Sequence, residues 1–222
     1  MHLFGPRTFL EDELEEGILE TWKWLMGRFG DARQMAWDPL VVPTHDYFPP
    51  CTLIGDALAT QVLLTVRRLM RADVDCEIEP IEAGGPAADE DGPSLIGYTD
   101  ASNPWLLVSE LAHGVAALML APFQDELPEG LDSFWPTVSL LVVHKGLGLF
   151  ALNSAIQLGR RDQAGYLTEQ TFAYVLAVYL ALTNRVGAAD GWVRPVAVEL
   201  LREAQTYLAK NPGLLATLTA DV

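Results

Sequence analysis

From Asn103 onward the chain is a succession of apolar stretches with helical periodicity, separated by loops rich in proline and glycine. This pattern confines it to a helix-dominated fold. Asn103–Pro104 reads as a helix start, a capping side chain followed by a proline whose missing N–H costs nothing at the first helical position. The spacing predicts helices over 104–120, 133–158, 168–184 and 193–210. Gly146 and Gly148 lie inside the second of these and predict close helix packing or a kink.

The first half is more varied. Thr8 followed by Glu11 resembles a capping box, and Asp12, Glu13, Glu15 and Glu16 suit the positive end of a helix dipole. Leu14, Ile18, Leu25 and Phe29 recur at helical spacing, and Gly30 is a natural stop. Residues 38–50, with Pro43, Pro49 and Pro50, read as an extended connector. A second helix is expected over 51–71, with Leu58, Val62, Val66, Leu69 and Met70 on its apolar side. Residues 76–81 alternate as a strand does, Pro80 marks an edge or an end, and 94–98 is the expected partner strand. Between them lies a turn-rich acidic loop. The expected fold is α+β and predominantly α-helical, with a small β hairpin or sheet. It forms one domain over 1–222: an N-terminal helix and connector to residue 50, a helix and β element over 51–102, and a helical core over 103–222.

The chain has 222 residues, half of them apolar and a fifth charged, enough to bury a sizeable core. Thirty acidic residues against fourteen basic ones give a formal charge of −16. Such a field repels nucleic-acid phosphates and anionic membrane surfaces and attracts basic partners. The acidic residues gather in three segments, 11–20, 77–91 and 125–132. A regular stripe of carboxylates, as in a nucleic-acid mimic, is not what their scattered order suggests. Cys51 and Cys76 cannot form a disulfide framework and read as partly buried thiols of a reducing compartment. The acidic run that follows the first residues argues against a signal peptide. The apolar runs 105–123 and 138–152 carry Glu110, His113, His144 and Lys145 and read as too interrupted to cross a bilayer. The expectation is a soluble cytoplasmic protein without nucleic-acid or membrane partners and of unassigned oligomeric state.

The residues that bear most on function are 109–117, Ser-Glu-Leu-Ala-His-Gly-Val-Ala-Ala. In an H-E-x-x-H helix two histidines one turn apart reach one zinc, and the intervening glutamate polarises the metal-bound water. Here His113 holds the first histidine position, Gly114 that of the glutamate and Ala117 that of the second histidine.

The order of several segments along the chain resembles a poorly characterised bacterial family of zincin-like domains. They are Arg7-Thr8-Phe9-Leu10, the 19–24 segment Leu-Glu-Thr-Trp-Lys-Trp, Phe29-Gly30, Pro43-Thr44 with Phe48-Pro49-Pro50, Leu111-Ala112-His113, residues 146–155 beginning Gly-Leu-Gly, and Gly165 to Glu169. The resemblance implies a zincin-like helical domain in which a later helix supplies acidic residues just before the Gly-x-Gly segment, one as third metal ligand. Placed by its glycines, that helix has Trp135 and Ser139 at the acidic positions. The base, the second histidine and both acids are absent, which implies a fold that has lost its enzyme.

Glu110 and His113, three residues apart on one helical face, are the remaining candidates to share a metal with His144 in a divergent hydrolase. A histidine bonded inside the core is the simpler reading, since zinc ordinarily takes at least three protein ligands. No catalytic residues and no cofactor, zinc included, are therefore expected. The favoured function is an acidic protein-binding or regulatory module, of immunity or antitoxin type, for a basic protein. Asp89, Glu90, Asp91 and Trp192, the last read as an exposed aromatic anchor, are its candidate contacts.

Overall fold

A computed structural model describes residues 9–81, 94–131, 134–158 and 167–219. Helix α1 spans Asp12–Phe29 and buries Ile18, Trp22, Leu25 and Met26 along one side. Its N-cap is Glu11, with no side-chain capping bond, rather than Thr8, which lies outside the described residues. Phe9 stands apart from the helix because its ring packs on Tyr174 and Tyr207, so tertiary packing overrides the capping signal. A short α2 (Ala32–Trp37) follows, capped by Asp31 and Gln34 in a reciprocal box.

Helix α3 spans Gly55–Met70 and starts later than the expected residue 51. Gly55 has φ +55°, and residues 51–54 run non-helical and exposed before it. Strands β1 (Glu77–Pro80) and β2 (Leu95–Tyr98) pair with Glu77 opposite Leu95 and Pro80 opposite Tyr98. The pairing is parallel, so the element is a two-stranded sheet and not a hairpin. A tight turn cannot join parallel strands; the crossover needs about a dozen residues or more, and 81–94 supply them.

Helix α4 spans Pro104–Leu120 as the periodicity predicts, with the Asn103 side chain accepting from the Leu106 N–H. A 3-10 turn over Ala121–Glu126 prolongs it. Helix α5 (Phe134–Val142) passes through a π-type turn (Val143–Leu147), which leaves helical geometry at Gly146, into α6 (Gly148–Leu158). The expected kink lies at Gly146, whose φ of +82° would strain any other residue, and a Cβ there would sit 2.5 Å from the Pro39 carbonyl oxygen. The Val41 N–H donates to the Gly146 carbonyl at 2.9 Å, which seats the connector on this turn.

Helix α7 (Glu169–Leu182), capped by Thr168, is buried on every side from Thr171 to Leu180, the state of a central helix. Helices α8 (Pro195–Lys210) and α9 (Pro212–Thr219) close the bundle over it. Phe150, Tyr174, Tyr179 and leucines such as Leu107, Leu111, Leu140 and Leu176 form the centre of the core. Each such side chain contributes about 1.5–3 kcal/mol on burial.

Two helical runs of 23 residues, Pro104–Glu126 and Phe134–Ile156, are long and apolar enough to cross a membrane by length and composition. This corrects the expectation that both apolar runs are too interrupted: the 3-10 turn extends one and the π turn joins the halves of the other. Their most apolar windows are 56% and 94% buried inside the structure, as core helices are.

Candidate functional site

His113 is buried where α4 meets α5 and α7. Its Nδ1 lies 2.7 Å from the Ser109 carbonyl oxygen one turn back. A carbonyl only accepts, so Nδ1 carries the hydrogen, and in the neutral ring Nε2 then accepts from the Ser139 hydroxyl at 3.3 Å. Phe172 of α7 packs edge-on to the imidazole with ring centroids 6.3 Å apart. Ser139, placed from the sequence only by its distance from the glycines, is fully buried and reaches the histidine side chain. Trp135, one turn earlier, is 39% exposed and lies against Phe134.

The other motif positions face different neighbours. Gly114 abuts β2, where a Cβ would lie 2.3 Å from Ile96 Cγ2. The space a glutamate side chain would enter is therefore filled by an isoleucine. Ala117, one turn after His113 on the same helical face, is half-buried and offers no ligand atom. Glu110 uses its carboxylate on the turn after β2, accepting from the Thr99 N–H at 2.9 Å and the Thr99 hydroxyl at 2.7 Å. It ties the sheet to α4.

His144 belongs to a separate constellation on the π turn. Its Nε2 donates to the Gly30 carbonyl at 2.8 Å, and the adjacent Lys145 Nζ donates to the Phe29 carbonyl at 2.9 Å. Together they cap the C-terminal end of α1 from across the fold, where cationic and donor groups meet orphan carbonyls. Burial, reinforced by the Lys145 charge, pushes the His144 pKa down to about 3, while burial also lowers that of Lys145. His144 Nδ1 and Trp22 Nε1 are buried without hydrogen-bond partners among the described residues, their rings 6.0 Å apart. Thus Glu110 and His113 share a helix face, but the hydrogen bonds of Glu110, His113 and His144 run to three different places. Among the described residues no three His, Cys, Asp or Glu side chains are grouped to hold a metal ion.

Asp89, Glu90 and Asp91 lie outside the described residues. Trp192 is half-buried against the core and its carbonyl accepts from Asn153 Nδ2 at 3.0 Å, so it is not the exposed anchor its neighbouring glycine and proline suggest. Trp37 is far more exposed, at 81%. Arg185 grips the backbone on both sides of it, donating to the Ala36 and Asp38 carbonyls. Nothing in the local sequence marks that grip, since its partners are 149 and 147 residues apart. Cys51 is exposed, and Cys76 is half-buried with its thiol pKa raised by burial. His45 and Asp46 are exposed on the connector.

A further cluster escaped the sequence reading. Glu15 is buried, and its Oε2 accepts from the Tyr207 hydroxyl at 3.0 Å. Burial and the Glu15 carboxylate push Tyr207 up to about 12 and raise Tyr174 as well. Read from the sequence, Glu15 is one more acid of an acidic first turn; only the packing of α7 and α8 against α1 distinguishes it. Comparisons with protein-family models, with curated proteins and with solved structures found no match to this chain.

Proposed function

We propose that this chain is a catalytically inactive zincin-like protein retained as an acidic binding or regulatory module for a basic protein, of immunity or antitoxin type, acting in the cytosol. The observation that carries the loss of catalysis is the wiring of His113: both ring nitrogens are engaged, one by the Ser109 carbonyl and one by Ser139. Two further features support it. Gly114 is pressed against Ile96 where a general base would stand, and Ala117 replaces the second ligand. The binding role rests on the charge of −16, which draws cationic surfaces and repels phosphates.

The divergent-hydrolase reading asks Glu110 to leave Thr99 and His144 to leave Gly30 before either joins His113. The first move gives up two hydrogen bonds and the second strands the part-buried Gly30 carbonyl, so the arrangement favours the binding module.

Tagged co-purification at low and high salt, with metal analysis of the same sample, tests the proposal. One stoichiometric basic partner, released as salt rises, with zinc far below one equivalent, is the expected result. Zinc near one equivalent together with a chelator-sensitive hydrolytic activity would overturn it.

A further inference from the structure

We propose that the groove between the N-terminal ends of α1 and α7 is the docking site of that basic partner, which inserts one apolar side chain and sets lysine or arginine on the rim. The inference rests on the acidic-module reading and gives it a place.

The groove has a volume of about 370 Å³. Phe9, Leu10 and Leu14 supply its apolar side. On the opposite side the polar groups are already engaged: the Thr168 and Thr171 hydroxyls bond each other at 2.8 Å, and the Gln170 amide holds the Phe9 carbonyl. The interior therefore suits an apolar side chain better than a polar one.

Charge sets what surrounds that side chain. Residues 9–16 and 167–172 together hold Glu11, Asp12, Glu13, Glu15, Glu16 and Glu169 and no lysine or arginine. Glu11, Asp12, Glu13 and Glu16 are exposed, and Glu15 is buried behind the apolar side. There Phe9, Tyr174 and Tyr207 pack as a trio with centroids 6.0, 6.2 and 6.3 Å apart, a rigid backing. Glu15, whose Oε2 accepts from the Tyr207 hydroxyl, is buried with Tyr174 beneath the groove and sets a carboxylate under its apolar side. An apolar hollow with an acidic border fits an amphipathic cationic segment, whose aliphatic stems lie on the wall while the charged heads reach the rim.

The test measures binding of two labelled peptides to the full chain: a helical leucine–lysine peptide, and a leucine-free polylysine of equal charge. The leucine-containing peptide should bind about tenfold more tightly, and Glu11→Lys with Glu13→Lys should weaken it by about tenfold. Photo-crosslinks from its leucines should fall on residues 9–14 and 168–171, a readout independent of any variant's folding. Equal affinity for the two peptides, with the rim substitutions inert, would overturn the groove while leaving a diffuse acidic module standing. Failure of both peptides to bind would remove the groove and the module together. Crosslinks confined elsewhere, crosslinks joining two copies of the chain through the groove, or binding that emerges only when residues 1–8 are deleted would each assign the groove differently and overturn the proposal.

Discussion

The Ser139 hydroxyl meets Nε2 of His113 across 3.3 Å, so a hydrogen bond joins α5 to α4 at one of the two positions where the resemblance implies an acidic residue. The same two positions thus meet in space, but through a bond between two protein side chains. Ser139→Ala removes the hydroxyl that donates to this buried ring and should destabilise the fold by about 1–3 kcal/mol. Urea unfolding of the variant, with unchanged slope and a lowered midpoint, checks it.

Building an H-E-x-x-H motif on α4 should fail for a steric reason. Gly114→Ala gains helix propensity of about 1 kcal/mol, but its Cβ lands 2.3 Å from Ile96 Cγ2, and overpacking costs about 1–3 kcal/mol. The expected net effect is destabilising, and Ile96→Ala should relieve part of it in a double-mutant cycle. A Gly114→Glu, Ala117→His chain should be less stable still and bind no stoichiometric zinc, measured by elemental analysis.

His144 should make stability fall with acidity before the carboxylates do. Its folded pKa of about 3 lies below the ordinary 6.5, so between those values the unfolded chain binds more protons and stability rises with pH. The contribution is therefore complete above pH 6.5 and is lost as pH falls through that window toward 3. The slope approaches about 1.4 kcal/mol per pH unit for one proton. Urea midpoints at successive pH values should slope less in His144→Gln than in the parent, because glutamine keeps a donor for Gly30 and cannot be charged.

Close backbone contact predicts a fourth sensitivity. A Cβ on Gly17 would lie 1.9 Å from the Gly130 carbonyl oxygen, where backbone and not a flexible side chain must yield. Gly17→Ala should cost more than the roughly 1 kcal/mol it gains in helix propensity. Gly27→Ala on the same helix, with open space around it, should stabilise. Thermal unfolding of the pair separates the two.

Arg185 forks between the Ala36 and Asp38 carbonyls and also touches the Tyr179 hydroxyl at 3.3 Å. Arg185→Lys should not replace it, because an ammonium cannot span two carbonyls with fixed geometry. Faster amide exchange at Met35 to Asp38 in the lysine variant, with the core amides unchanged, is the expected signature.

The long, strongly periodic helices were legible because their signals are local. Asn103 and Pro104 start α4, Thr168 caps α7, and Gly146 bends the α5–α6 run. What escaped depends on distant packing. The start of α1 follows Phe9 joining Tyr174 and Tyr207, and strand direction follows the crossover, which four-residue strands do not encode. Helices α2 and α9 are short and drew no expectation, and half-buried Trp192 and exposed Trp37 exchange the roles their neighbours suggest. The meeting of His113 with Ser139 had no local signal of its own; the resemblance alone set the two positions side by side. Glu110 bonding Thr99 and His144 bonding Gly30 had no local signature.

At Gly146 the backbone leaves helical geometry (φ 82°, ψ 5°), so α5 and α6 are two helices meeting at a corner and not one bent rod. His144 and Lys145, the two residues before that corner, reach from it to the end of α1. Any side chain at Gly146 would strain the corner. The far end of α1 is thus held in place by a residue that has no side chain of its own.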